Sequence, residues 1–210
     1  MEYTINIKGR LMDLSTPQVM GILNVTPDSF YSGSRKQTEM EIAQRANQII
    51  EEGGSIIDVG AFSTRPGADE VSEEEEGRRL KFALDIVRRE QPDAAVSVDT
   101  YRPTLARKCI EEWGADIIND VSEGGITGIV NVPLEQRQEE YPEMFRVVGE
   151  LKVPYILMSV QPTLETMMKG FAKRCSSCAT WEPRTSSSTR ASASARISSR
   201  IIRFIMRWRS

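Results

Sequence analysis

The 210-residue chain has no histidine, only three cysteines and no apolar run of 18 residues. The missing histidine removes imidazole from every metal-ligand and proton-transfer assignment. Without a long apolar run no helix can span a bilayer, and Met1-Glu-Tyr-Thr-Ile-Asn-Ile lacks the basic and apolar regions of a secretory signal. A cytoplasmic location is the expectation. Cys109 falls in a helical pattern while Cys175 and Cys178 sit close together near the end, so the thiols form no disulfide framework and are expected reduced. Acidic charge is scarce in one place. Residues 1–174 hold 20 Lys and Arg against 29 Asp and Glu, whereas residues 175–210 hold seven Arg and a single acid, Glu182, so a net charge of -3 conceals a basic tail on an acidic body.

The body has the makings of one globular domain, with 40% hydrophobic residues over the whole chain. Thr4 to Leu11 alternates like a strand with a turn at Lys8-Gly9, which predicts a hairpin over one end of the fold. Apolar runs then end repeatedly in polar residues: Met20-Gly-Ile-Leu-Asn-Val25 before Thr26-Pro27-Asp28, Ser55-Ile-Ile-Asp-Val-Gly60 before Ser63-Thr-Arg-Pro-Gly67, Ala95-Val-Ser-Val-Asp-Thr100, and Ala115-Asp-Ile-Ile-Asn-Asp120. Val153 to Met158 reads as a fifth strand. Between them lie helical patterns: Thr38 to Glu52, stopped by Gly53-Gly54; a helix begun by Ser72 with Glu73 to Glu76 in its first turn; Pro103 to Trp113; and Pro142 to Leu151. The acidic run is therefore read as a helix start rather than a metal site. Strand–helix alternation predicts a parallel α/β sheet, either doubly wound or closed into an eight-fold barrel, and periodicity leaves both open. In either, ligands bind beyond the carboxyl ends of the strands, where the polar residues gather.

Taken together, these segments resemble dihydropteroate synthase. The resemblance covers roughly residues 15–174 and rests on Met20-Gly-Ile-Leu-Asn-Val-Thr-Pro-Asp-Ser-Phe30, Asp58-Val-Gly with Ser63-Thr-Arg-Pro-Gly-Ala68, Ser97-Val-Asp-Thr100, Gly114-Ala-Asp-Ile-Ile-Asn-Asp-Val121 and Pro154-Tyr-Ile-Leu-Met158, in family order. It implies a TIM (β/α)8 barrel, here incomplete with about five β/α units. The implied activity joins 6-hydroxymethyl-7,8-dihydropterin diphosphate to p-aminobenzoate in folate biosynthesis, in a homodimer that is a sulfonamide target, with neither nucleic acid nor membrane as partner. Carried over residue by residue, it implies Asp99 and Asn119 on the pterin ring, Asn24 on Mg2+ and the diphosphate, and Thr64, Arg65 and Pro66 in a loop over the diphosphate and the p-aminobenzoate pocket. Met158 would line the pterin site. Where many members carry histidine after that methionine, this chain has Ser159. Each residue alone has a bland reading as a cap or turn former. Their joint placement on successive strand ends argues for a site. Alternatives are a related pterin-binding barrel of the methyltetrahydrofolate methyltransferase type and a non-catalytic, basic-tailed interaction protein.

After Arg174 the resemblance stops, and Cys175-Ser-Ser-Cys-Ala-Thr-Trp181 leads into a Ser/Arg/Ala tract. One lost nucleotide near codon 174 accounts for this, because synonymous codons for residues 175–210 read in the neighbouring frame permit an amphipathic helix, a strand and an Asp-Pro-Gly-Phe-Gly-Phe-Gly-Lys loop. Residues 1–174 are thus read as a partial pterin-binding domain and 175–210 as a non-native tail. Cys175-x-x-Cys178 lacks a second ligand pair for zinc. A barrel cut after its fifth strand exposes a parallel edge and predicts a poorly folded, inactive polypeptide.

Overall fold

Short β-rich apolar runs alternating with amphipathic stretches give the element order β1 (Thr4–Ile7), β2 (Arg10–Asp13), β3 (Met20–Asn24), α1 (Arg35–Glu51), β4 (Ile56–Gly60), α2 (Glu73–Glu90), β5 (Ala95–Asp99), α3 (Pro103–Glu111), β6 (Ile117–Asp120), α4 (Glu143–Leu151), β7 (Tyr155–Leu157) and β8 (Ile201–Ile202). The structure is a computed structural model and describes residues 4–25, 35–62, 71–122, 143–157, 165, 168 and 201–202. Among them β1 and β2 form an antiparallel hairpin, and β3 to β8 form a six-stranded parallel sheet in sequential order. A doubly wound sheet would reverse its strand order at a switch point, so unbroken sequential order favours the barrel over that alternative.

The register stacks the inward-facing residues in layers. Met20, Ile56 and Ala95 align at the bottom; Ile22, Asp58, Ser97 and Ile117 in the middle; Asn24, Gly60, Asp99, Asn119 and Ile156 at the carboxyl ends. Ile5 and Ile7 of the hairpin pack with Ile56, Ala95, Ile117 and Ile156 on this inner side. Side chains of opposite parity, including Leu23, Val59, Val96, Val98, Ile118 and Tyr155, face the helices and join Leu80, Leu84, Ala106 and Phe145 in the larger core. The inner side stays open along β3, where Ile22 is 53% exposed. Arg45 Nε covers part of this edge by donating to the Ile22 carbonyl at 3.2 Å.

Helix ends follow the sequence. Ser72 caps α2 by accepting from the Glu75 amide at 3.2 Å, above an acidic first turn. Gly53, at a φ of 92° that a side chain would resist, turns the chain out of α1. Of the segment after Arg174, Ile201 and Ile202 pair with Tyr155 and Ile156, so the edge beyond β7 is partly occupied rather than bare. The unpaired amides and carbonyls of a parallel edge accept any short extended apolar segment that reaches them. Among the described residues no helix is long and apolar enough to cross a membrane.

At the end opposite the polar row, one buried carboxylate ties four segments. Asp116 accepts from Arg88 Nη2 at 2.5 Å and from the Val96 amide at 2.9 Å, and pairs with Lys8 Nζ at 2.9 Å. Lys8 is half exposed and contributes little; Arg88, also bonded to the Gly114 and Ala94 carbonyls, carries the energy. Asp116→Ala strands that guanidinium and is expected to lower unfolding free energy by about 3 kcal/mol. The check is a fall in the urea midpoint at unchanged slope.

Candidate functional site

Four strands end in one polar row. Asn24 pairs in register with Gly60, Gly60 with Asp99, and Asp99 with Asn119, so residues scattered over 95 positions of sequence become lateral neighbours. Parallel neighbours stand about 4.8 Å apart, which places Asp99 and Asn119 within the span of one flat heterocycle and Asn24 two strands away from Asp99. Gly60 keeps the row concave. A Cβ there would lie 2.9 Å from Asn24 Oδ1 and 3.6 Å from the Asp99 Cβ.

Asp58 sits one layer below, 4% exposed, and accepts from Asn119 Nδ2 at 3.0 Å. That bond fixes which way the Asn119 amide faces and leaves its oxygen and second N–H for a ligand. Burial pushes the Asp58 carboxyl up from its usual range, against the pull of the Ser97 hydroxyl and the Asn119 amide. Asp58 Oδ1 and Ser97 Oγ are both buried without a well-formed hydrogen bond among the described residues; the hydroxyl is near enough to ease the charge without meeting bonding geometry.

Asp99 is perturbed in the same direction as Asp58. Burial raises its carboxyl well above the ordinary value, and the charges of Asp58, Asp120 and Glu76 add to the rise. Among the described residues no hydrogen bond reaches its oxygens. An acid in a negative pit, short of donors and at a strand end, suits a ligand presenting paired N–H groups. Phe62 and Tyr101 stack edge to face at 5.4 Å, and Arg102 lies over the Tyr101 ring at 5.3 Å, making a rigid aromatic corner in the segments just after β4 and β5.

The structure thus brings together Asn24, Asp99 and Asn119. Thr64, Arg65, Pro66 and Met158 lie outside the described residues. Asp58 and Gly60 were missed as site residues, although strand alternation from Gly60 and pairing with Ser97 would have placed Asp58 on the inner side. A separate open groove, lined by Ile22, Leu23, Val25, Thr38, Ile42 and Arg45, runs between β3 and α1 and shares only Asn24 with the row. It opens on the uncovered edge and meets the row at Asn24 alone.

A family profile described as pterin binding enzyme matches residues 20–201. Dihydropteroate synthase of Escherichia coli K12 is 38% identical over 162 residues, 77% of this chain and 51% of that protein. A mitochondrial folate synthesis bifunctional protein of Arabidopsis thaliana is 39% identical over 164 residues, 77% of this chain and 27% of that protein. The chain spans about half the length of the bacterial synthase it matches, or less of the bifunctional one. Among solved structures, Xanthomonas albilineans dihydropteroate synthase with 4-aminobenzoic acid superposes with a TM-score of 0.70 at 29% identity, covering 95% of this chain and 64% of that one. The same enzyme in complex with 7,8-dihydropteroate gives 0.63 at 28% identity, covering 83% and 60%.

Proposed function

The chain belongs to the pterin binding enzyme family, and from that premise we infer that it carries the pterin-recognising part of a dihydropteroate synthase. The activity is condensation of 6-hydroxymethyl-7,8-dihydropterin diphosphate with p-aminobenzoate. One observation carries the reading: Asp99, whose carboxyl burial raises and whose oxygens meet no hydrogen bond among the described residues, stands beside an Asn119 held by Asp58. A pterin's aminopyrimidinone edge offers two adjacent N–H groups, which a single carboxylate accepts together. Asn119, with an oxygen and an N–H to spare, reads the neighbouring ring atoms. The pterin's N–H groups solvate a carboxylate that burial has stripped of water, so the acidic pit is a preorganised receptor.

In the reaction the methylene C–O bond breaks, diphosphate leaves with the bonding pair, the p-aminobenzoate nitrogen forms the C–N bond, and its proton passes to solvent. Nothing in that sequence needs a nucleophilic side chain, so the protein's part is positioning and electrostatics. By the family resemblance Thr64, Arg65 and Pro66 belong to a loop over the diphosphate and the p-aminobenzoate pocket, and Met158 lines the pterin site. The described residues contain no group of three or more His, Cys, Asp or Glu fit to hold a metal alone. Mg2+ nevertheless suits Asn24, because this ion takes few protein oxygens and fills its shell with substrate phosphates and water. When bound it neutralises the departing diphosphate. We assign a cytoplasmic location with these two substrates as partners, the homodimer being the expectation for the intact family.

Titrating the purified chain with the pterin diphosphate and Mg2+ is expected to give saturable binding that methyltetrahydrofolate does not displace. Preferential binding of methyltetrahydrofolate would instead move the chain to the methyltransferase branch. Gly60→Ala sharpens the test. Its methyl group displaces only the exposed Asn24 side chain, so the unfolding midpoint should hold while the Mg2+-dependent share of affinity falls about tenfold. Unchanged Mg2+ dependence would remove Asn24 from the metal.

A further inference from the structure

Behind the polar row lies a second buried acid that the pterin chemistry does not use. Glu76, in the first turn of α2, is 0% exposed, whereas its acidic neighbours Glu73 and Glu74 are in solvent. Its Oε1 accepts from Thr100 Oγ1 at 2.7 Å, and its Oε2 lies 3.3 Å from Arg102 Nε. Thr100 directly follows Asp99, and its own amide donates to the Asn119 carbonyl at 3.2 Å. The same hydroxyl accepts from the Arg102 amide at 3.2 Å, and Arg102 Nη2 holds the Val71 carbonyl at 2.5 Å, just before the cap of α2. A single hydroxyl thereby ties the end of β5 to α2 while the adjoining amide ties it to β6.

Burying a carboxylate and a guanidinium together costs solvation, and a stability role would be met as well by apolar side chains of similar volume. What such side chains could not do is fix the rotation of Thr100, because packing without directional bonds leaves a strand terminus free to twist. We propose that Glu76 and Thr100 are positioning residues that hold the Asp99 carboxylate and the Asn119 backbone in one geometry for the pterin ring. This rests on the pterin reading above. It explains how the Asp99 carboxylate keeps its place although among the described residues no hydrogen bond reaches its oxygens.

The test is pterin titration by calorimetry on the full 210-residue chain, with 6-hydroxymethylpterin as the probe. Thr100→Val keeps shape and removes only the hydroxyl; its pterin Kd should rise about tenfold. Thr100→Ser restores the hydroxyl and should return Kd to within about threefold of the parent chain. A merely structural role reduces the number of competent sites and leaves the affinity of each unchanged, so the stoichiometry and Kd separate the two. Equal Kd in the parent, Val and Ser chains overturns the proposal. Asp99→Ala is the control for the reading beneath it: if that variant binds pterin as the parent does, or the parent binds none, the pterin reading fails and this proposal with it. A loss with Asp99→Ala but none with Thr100→Val overturns the positioning role alone.

Discussion

Asp99→Asn is expected to make the unliganded chain more stable at neutral pH while weakening pterin binding about a hundredfold, since two hydrogen bonds to a charged acceptor are worth roughly 1.5 kcal/mol or more each. The two effects share one cause. Asp99 is raised by burial and by the charges of Asp58, Asp120 and Glu76, so ionising it opposes folding. For a carboxyl raised in the folded state, the stabilising contribution is fully present below the unfolded value, near 4, and is lost as pH rises through the folded one. The parent chain should therefore gain stability on acidification through that window by a component that Asp99→Asn lacks, and the difference between their unfolding midpoints across pH isolates it. On the binding side, the amide turns one N–H toward the donor edge of the pterin, replacing an attraction by a clash of donors. Identical midpoints across pH, or full pterin affinity in the variant, would contradict the assignment of Asp99 as the charged receptor.

Turnover should separate even more sharply from binding. The polar row is present on β3 to β6, yet among the described residues Ile22 faces solvent on the inner side and β8 adds two residues beyond β7. A diphosphate that leaves into bulk water gives up the water-excluded field in which leaving-group stabilisation is strong. The purified 210-residue chain is expected to form dihydropteroate at the uncatalysed rate, even where it binds pterin. Restoring one nucleotide near codon 174 is expected to yield a product that complements a folate auxotroph, with a gain on the order of a millionfold or more in rate. Measured dihydropteroate formation by the 210-residue chain itself would refute this, as would a gene whose codons across position 174 cannot encode the Asp-Pro-Gly loop in the shifted frame.

Much of this architecture was legible because it depends on local pattern. Gly53 stopped α1 and Ser72 started α2 as the sequence predicts, and polar residues after apolar runs marked the carboxyl ends of β3 to β6. Lateral assembly was less accessible. Asp58 stood in the sequence only as part of the Asp58-Val-Gly motif; the pairing of Asp58 with Ser97 and the Asn119 bond give it a task. Glu76 was hidden for another reason. Four consecutive glutamates read as one solvated, dipole-favouring turn, but helical spacing puts the last with Leu80, Ala83 and Leu84 on the packed side, where Thr100 meets it. The expected bare edge after β7 failed because Ile201 and Ile202 pair there, and no local pattern announces a contact across so many residues.

The hairpin holds a consequence for how the chain is made. Lys8 Nζ donates to the Gly114 carbonyl, 106 residues later, and Arg10 Nη2 to the Asp93 carbonyl, 83 residues later. A ribosome releases β1 first, but its docking surface does not exist until α3 and the start of β6 have emerged. The earliest segment can thus take up both of these contacts only after more than half of the chain has emerged.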